Sequence, residues 1–165
     1  MIVVVMGVSG VGKTTVGQAL AERMGCEFVE GDAHHPAANV EKMRAGIPLD
    51  DDDRWPWLAR LAEVIDTALV EGRDLVIACS ALKRVYRDML IGSRQGVRLV
   101  YLAADRALIA SRLSERNHEY MPSSLLDSQF ATLEPPSVDE SCVEIDVSIP
   151  LSQAIETGFR KLAGA

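Results

Sequence analysis

The chain has 165 residues, which is enough for one domain with a hydrophobic core and too few for two. Hydrophobic residues make up 48% of it, and no apolar run approaches the roughly 18 residues that a membrane span needs. The net charge of −7 disfavours non-specific binding to nucleic acid. We therefore expect no nucleic-acid or membrane partner. Because the first strand-like run begins at residue 2, we also expect no signal peptide and a cytoplasmic location.

Short apolar runs alternate along the chain with helical patterns. The strand-like runs are Ile2–Met6, Glu27–Glu30, Leu75–Cys79, Leu99–Leu102 and Val143–Val147. The helical patterns are Lys13–Met24, Val40–Arg44, Trp57–Glu71, Leu82–Gly92, Arg106–Glu115, Ser123–Ala131 and Leu151–Leu162. This alternation predicts a single α/β domain, with a five-stranded parallel sheet flanked by helices on both faces. In such folds, ligands bind beyond the carboxyl ends of the strands.

The first of these strand ends carries a glycine-rich loop. It reads Gly7-Val8-Ser9-Gly10-Val11-Gly12-Lys13-Thr14 and matches the P-loop pattern G-x-x-x-x-G-K-[ST] without a mismatch. The loop amides, with Thr15 just beyond them, are expected to surround phosphate oxygens. Lys13 would reach the β- and γ-phosphates, and the Thr14 hydroxyl would bind Mg²⁺. The motif therefore predicts ATP and Mg²⁺ as cofactors.

An acidic residue and two histidines follow the second strand. Asp32 would lie beside the γ-phosphate, where a carboxylate can accept or orient the proton of an attacking hydroxyl. The alternative is an Asx turn or a helix cap, which Asp often makes. His34 and His35 are equally consistent with a site and with a cap or lining of the next helix.

The next helical pattern opens with the acidic run Asp50–Asp53, then Arg54 and Pro56. Acidic residues at a helix start are expected from the macrodipole, and Pro56 suits a first turn. Arg54 is not explained in this way, because a cation is disfavoured at that end of a helix. Its partner is either a substrate carboxylate or hydroxyl cluster, or the acidic neighbours.

The third strand ends in Cys79 and not in Asp, so it lacks a Walker-B carboxylate of the GTPase or motor kind. This absence favours a small-molecule kinase. Ser80 follows and can cap the next helix. Lys83 and Arg87 are four residues apart, which predicts one helix face that either meets an anionic substrate or is solvated.

Two polar excursions interrupt the pattern on the ligand side. Residues 31–58 are expected to bind the acceptor, and residues 116–123 to form a lid. Arg112 and Arg116 repeat the four-residue spacing where that lid begins. Such a pair can clamp a transferring phosphoryl group, or it can form a solvated basic face.

Taken in order along nearly the whole chain, these segments resemble the gluconokinases, small P-loop kinases related to the shikimate and nucleoside monophosphate kinases. The matching segments are Gly7–Gly10, Gly12–Thr14, Gly31-Asp32, His35-Pro36, Asn39, Lys42-Met43, Gly46, Pro48-Leu49, Asp51–Arg54, Pro56–Leu58, Cys79–Lys83, Tyr86–Asp88, Ser111–Leu113, Gln129-Phe130 and Thr132–Glu134. One departure lies in the lid, where Arg116-Asn117-His118-Glu119-Tyr120-Met121-Pro122 replaces a Gly-His-Phe stretch before the proline and displaces His118.

The resemblance implies ATP-dependent phosphorylation of D-gluconate at its 6-hydroxyl, and a homodimer. It implies that Asp32 faces the reactive hydroxyl, and that His35, Ser80 and Gln129 contact the polyol. Arg54, Lys83 and Arg87 are the cations for the acid end, with Lys13, Asp32 and Arg116 in catalysis. A kinase of another small metabolite, such as shikimate or a nucleotide, is the alternative, and a nucleotide-dependent switch or binding module is the alternative of a different class.

Overall fold

The computed structural model describes residues 1–115 and 123–164. Within them five strands form one parallel sheet in the order β2-β3-β1-β4-β5. The strands are β1 (Ile2–Met6), β2 (Glu27–Glu30), β3 (Leu75–Ala78), β4 (Val97–Ala103) and β5 (Val143–Asp146). The helices are α1 (Lys13–Met24), α2 (Ala37–Arg44), α3 (Asp51–Val70), α4 (Arg84–Leu90), α5 (Arg106–Glu115), α6 (Ser123–Thr132) and α7 (Leu151–Ala163), with 3-10 helices at Gly31–His34 and Val138–Glu140. The predicted five-stranded parallel sheet is confirmed.

The central strand β1 is fully buried and divides the core in two. Ile2, Val4 and Met6 pack with residues of α3 and α4, whereas Val3 and Val5 pack with residues of α1, α5 and α7. Burial on both faces explains why the strands read as continuous apolar runs. None of the helices within the two described ranges is long and apolar enough to cross a membrane.

The carboxyl ends of three strands align at one edge of the sheet. Ala78 of β3 is in register with Val5 of β1 and with Glu30 of β2. The P-loop, the 3-10 helix Gly31–His34 and the segment after β3 therefore emerge side by side. Gly31 is required at this edge, because a Cβ there would lie 2.2 Å from the carbonyl oxygen of Ala78.

Helix α3 begins at Asp51, inside the acidic run expected to open it and before the predicted bound at Trp57. A reciprocal capping box sets its start: the Asp50 carboxylate accepts from the Asp53 N–H at 2.8 Å, and the Asp53 carboxylate accepts from the Asp50 N–H at 3.1 Å. Pro56 is consequently the sixth residue of the helix and not part of its first turn. It cannot donate to the carbonyl of Asp52, but both residues are exposed, so water can take that acceptor.

Helix α4 begins later than predicted, and Ser80 does not cap it. Ala81 has a left-handed φ of 43°, and the extended Lys83 occupies the N-cap position without a side-chain cap. The prediction that Lys83 and Arg87 share one helix face is therefore wrong, because Lys83 precedes the helix.

Candidate active site

The P-loop joins β1 to α1 as its sequence context predicted. Three of its residues, Gly7, Gly10 and Gly12, have φ values of 147°, 81° and 103°, which residues with a Cβ rarely adopt. The N–H of Gly7 donates to the carbonyl of Ser80 at 3.3 Å, which joins the loop to the segment after β3. The loop is thus built from backbone conformations that only these glycines supply at low cost.

Lys13 points back over this loop. Its Nζ donates to the carbonyl of Val8 at 3.0 Å, and the residue is buried. Burial lowers the pKa of the Lys13 ammonium, and the negative charge of Asp32 is the largest influence that opposes it. A desolvated ammonium is a strong binding group for phosphate oxygens.

Hydroxyl and carboxylate oxygens that could bind a metal ion lie near Lys13. The Thr14 hydroxyl donates to the Glu30 carboxylate at 2.5 Å, and Asp32 follows Glu30 by two residues on the adjoining 3-10 helix. Hydroxyl and carboxylate oxygens are the ligands that Mg²⁺ prefers. The residues present therefore fit a magnesium ion, and Glu30 is a member of this set that the sequence interpretation missed.

One pocket lies beside the P-loop, between α5 and the start of α7. Arg112 of α5 lines it together with Gly10, Gly12 and Thr15, and Ile149 and Leu151 supply apolar surface opposite. The guanidinium of Arg112 donates to the carbonyl of Val147 through Nη2. Apolar side chains beside a phosphate-binding loop suit a nucleotide base. Arg112 thus lines a pocket beside the P-loop, and its contact with ATP stays a prediction.

A second cavity, of about 140 Å³, adjoins the loop at Ser9 and Lys13. Its lining is Ser9, Lys13, Asp32, His35, Met43, Ile47, Pro48, Leu49, Arg54, Trp57, Ser80, Leu125, Ser128 and Gln129. The structure therefore brings together Lys13, Asp32, His35, Arg54, Ser80 and Gln129 from the predicted site. It does not bring Lys83 or Arg87 to this cavity. We call it the acceptor cavity below.

His35 has a defined orientation in the acceptor cavity. Its ring stacks on Trp57 at 4.0 Å between centroids and 19° between planes. Asn39 Nδ2 donates to the carbonyl of Asp53 at 2.7 Å and also lies 3.2 Å from His35 Nδ1. Because a carbonyl only accepts, this nitrogen is a donor, so Nδ1 accepts and the proton resides on Nε2. That Nε2 lies 3.9 Å from Asp32 Oδ1.

The charge of His35 follows from the same surroundings. Burial lowers the pKa of the ring below its ordinary value of 6.5, although Asp32 opposes the shift. The imidazole is therefore neutral near pH 7 and presents one N–H donor to the cavity. Asn39, buried at 3% exposure, was quoted in the sequence match but not predicted as a site residue.

Arg54 reaches the acceptor cavity from the second turn of α3. It is 7% exposed, and its Nη1 donates to the Tyr86 hydroxyl at 2.9 Å. Within residues 1–115 and 123–164, no carboxylate lies within ion-pair distance of it. The sequence left open whether Arg54 pairs with its acidic neighbours, and in the structure it does not. Asp53 forms an ion pair with Lys42, and Asp51 forms one with Lys83.

Arg87 departs from its predicted role. It is 2% exposed and forms a buried ion pair with Glu140, with Nη2 to Oε1 at 2.9 Å. Its Nη1 also donates to the carbonyls of Ala81, Leu82 and Glu134 at 3.0–3.2 Å. The guanidinium is thus occupied by protein acceptors and holds the segment after α6 against the start of α4. Arg87 is therefore directed at protein acceptors and does not line the acceptor cavity.

Gln129 of α6 connects the two sides of the site. Its Oε1 accepts from the Ser9 N–H at 3.2 Å, and the side chain lines the acceptor cavity. The predicted catalytic Arg116, His118 and residues 116–122 of the predicted lid lie outside the described residues.

The cavity also contains residues that sequence reasoning missed. Met43, Ile47, Pro48 and Leu49 fall inside the predicted acceptor segment 31–58, so their region was signalled although their roles were not. Leu125 and Ser128 carry no motif of their own, and only the packing of α6 near the P-loop reveals them.

A parallel sheet of this order, a P-loop after β1 and an acceptor cavity that shares Lys13 with that loop define a P-loop kinase. A family model described as an AAA domain matches residues 2–136. A gluconokinase of Gluconobacter oxydans (strain 621H) is 49% identical over 142 residues, which cover 86% of this chain and 80% of that protein. The chain belongs to the gluconokinase family, and it is a phosphotransferase of the kinase class.

Solved structures agree with this placement. The crystal structure of a gluconokinase from Sinorhizobium meliloti 1021 is 46% identical, with a TM-score of 0.89, and covers 98% of this chain and 90% of that one. A shikimate kinase from Bacteroides thetaiotaomicron has a TM-score of 0.70 at 16% identity, over 99% of this chain and 98% of that one. The second likeness reports a shared fold and nothing about the acceptor.

Proposed function

We propose that this chain transfers the γ-phosphoryl group of ATP to the 6-hydroxyl of D-gluconate, giving 6-phosphogluconate and ADP. The observation that carries the proposal is the acceptor cavity, which holds Lys13 and Asp32 at its phosphate end and Arg54 in its wall. A hydroxyl acceptor with an acid group suits such a cavity. Gluconate also matches the family to which the chain belongs.

Each end of gluconate has a complementary group in this proposal. Arg54 binds the carboxylate, because its guanidinium is charged, buried and hydrogen-bonded to a neutral hydroxyl. His35 donates from Nε2 to the polyol, and Ser80 and Gln129 supply further polar contacts. Asp32 faces the 6-hydroxyl, since its carboxylate is 62% exposed beside the buried Lys13.

The reaction is an in-line displacement. The 6-hydroxyl oxygen bonds to the γ-phosphorus as the bond from that phosphorus to the β–γ bridging oxygen breaks, and the electron pair of that bond leaves with ADP. Asp32 orients the hydroxyl and accepts its proton. Lys13 and the P-loop amides hold the phosphate oxygens during the transfer. Magnesium, held by Thr14 with Glu30 or Asp32 nearby, would neutralise phosphate charge when bound.

The deciding experiment is an ADP-coupled assay of the purified chain with Mg-ATP and a panel of acceptors. The panel contains D-gluconate, shikimate, nucleoside monophosphates and the neutral polyol D-glucitol. We expect gluconate to be used most efficiently, and ³¹P NMR to place the phosphate on carbon 6. Efficient use of shikimate or a nucleotide, with none of gluconate, would contradict the substrate. ADP release that no acceptor stimulates would instead favour a switch or binding module.

Arg54→Met provides the matched test of the acid end. The substitution keeps an unbranched buried side chain and removes the charge, so we expect the KM for gluconate to rise by about 100-fold or more. The KM for ATP should stay within about twofold, because Arg54 does not line the pocket that Arg112 forms beside the P-loop. We also propose a cytoplasmic location and a homodimer; light scattering coupled to gel filtration tests the homodimer.

A further inference from the structure

The Arg54 guanidinium requires a specific contact to hold it in one orientation. It lies near the amino end of α3, where the helix dipole disfavours a cation, and arginine has many rotamers to lose. Among the described residues, every fully enclosed side-chain nitrogen and oxygen has a hydrogen-bond partner. Only the Nη1 of Arg54 has a described partner, so its Nε and Nη2 are not fully enclosed, and the residue lines the acceptor cavity.

Tyr86 of α4 provides the contact. Its ring is 1% exposed and packs edge-on against Trp55 at 5.5 Å between centroids. The Arg54 guanidinium lies 5.4 Å from the ring centroid, and its Nη1 donates to the hydroxyl. The ring and the hydroxyl therefore contact Arg54 together, which restricts both the position and the rotation of its planar group.

The Tyr86 hydroxyl is itself held on its far side. It donates to Asp51 Oδ1, and the same oxygen accepts from Lys83 Nζ at 2.9 Å. Asp51 is about half exposed, so solvent and Lys83 both stabilise its charge. A neutral hydroxyl thus separates Asp51 from Arg54. The guanidinium is oriented without being neutralised by a direct carboxylate contact, and its charge stays available to a ligand.

We propose that Tyr86, supported by Asp51 and Lys83, is the positioning residue that orients Arg54 toward the carboxylate of an acidic acceptor. This inference rests on the proposed function. It also gives a role to Lys83, which was predicted to bind the substrate but lies outside the acceptor cavity. Lys83 binds the Asp51 carboxylate, which in turn accepts the hydrogen bond from the Tyr86 hydroxyl.

Tyr86→Phe tests the proposal, with Tyr101→Phe as the matched control. Tyr101 is 6% exposed in the same apolar cluster but does not line the acceptor cavity. Because Tyr86→Phe removes one hydrogen bond to a charged group and keeps the ring, we expect the KM for gluconate to rise about tenfold. We expect kcat and the KM for ATP to stay within about twofold, and Tyr101→Phe to leave all three constants unchanged.

A binding measurement separates positioning from turnover. Trp57 lines the acceptor cavity, so its fluorescence reports gluconate binding. We expect the Kd for gluconate to rise with the KM in Tyr86→Phe, and the Kd for D-glucitol, which lacks a carboxylate, to stay unchanged. Asp51→Ala, which removes the acceptor of the hydroxyl and leaves the ring, should raise the gluconate KM about threefold and provides a second route if Tyr86→Phe folds poorly.

The outcomes distinguish this inference from the proposed function. If the wild type uses gluconate and Tyr86→Phe binds it equally well, Tyr86 does not position Arg54, although the function stands. An equal loss for gluconate, D-glucitol and ATP would likewise overturn the positioning role in favour of a structural one. If the wild type uses a different acidic acceptor and Tyr86→Phe weakens that acceptor alone, the gluconate proposal fails and the positioning role stands.

Discussion

The substitution Arg87→Met decides between two interpretations of one buried cation. The resemblance to the gluconokinases implied a substrate contact, whereas the structure pairs Arg87 with Glu140 and three backbone carbonyls. Removing one partner of a buried ion pair typically costs about 3–5 kcal/mol, because the other charge is left unpaired. Glu140 retains hydrogen bonds from the N–H and hydroxyl of Ser137 at 2.9 and 3.1 Å. We therefore expect a loss near the lower bound, about 3 kcal/mol of unfolding free energy.

Urea and thermal denaturation measure this loss. For a chain of this size, about 3 kcal/mol corresponds to a fall in Tm of roughly 6–12 °C. Arg106→Met is the matched control, because Arg106 and Asp127 form an ion pair in which both side chains are more than half exposed. Removing such a pair should change the unfolding free energy by less than about 1 kcal/mol. The KM for gluconate should be nearly unchanged in folded Arg87→Met.

The pH dependence provides an independent check. Hydrogen bonds from Arg87 lower the pKa of the Glu140 carboxyl below its ordinary value of 4.5. The stabilisation linked to this shift is therefore complete above pH 4.5 and is lost as the pH falls through the lowered pKa. The stability difference between wild type and Arg87→Met should shrink over that range. A stable Arg87→Met with a selectively raised gluconate KM would refute the structural interpretation.

Three further substitutions test the site. Lys13→Ala should lower kcat by about 100- to 1000-fold in the coupled assay, because a buried ammonium that holds phosphate charge is lost; activity near wild type would contradict the role of the P-loop lysine. Asp32→Asn should lower kcat by at least about 100-fold while ATP binding persists in calorimetry, and wild-type turnover would exclude Asp32 as the group that orients the hydroxyl. Asn39→Ala should lower the unfolding free energy by about 1–3 kcal/mol in urea, since the Asp53 carbonyl and His35 Nδ1 lose their donor; unchanged stability would show that another group replaces it.

Much of the fold was predictable because it depends on local pattern. The helix Lys13–Met24 and the strands Ile2–Met6 and Glu27–Glu30 have the predicted bounds. The errors occur where a side chain competes with the pattern. The capping box of Asp50 and Asp53 starts α3 before Trp57, and the left-handed Ala81 delays α4 beyond Ser80.

The partners of the cations were less predictable than their positions. Arg54, Lys83 and Arg87 were equal candidates for an anion, since a one-dimensional pattern reports charge and spacing only. In the folded chain, Lys83 forms an ion pair with Asp51 and Arg87 forms one with Glu140. Arg54 instead donates a hydrogen bond to the Tyr86 hydroxyl. Glu140 is 53 residues from Arg87, so no local window reveals that pair.

The sequence by itself determined the phosphate side of this protein. Gly7–Thr14 acts through its own backbone and two of its own side chains, so the phosphate-binding loop is contained within eight consecutive residues, although Glu30 beside it comes from β2. Only the tertiary structure decided the acceptor side. There the cavity wall comes from four separate segments of the chain. A buried cation remains available to a ligand only where the fold brings no carboxylate within about 4 Å of it.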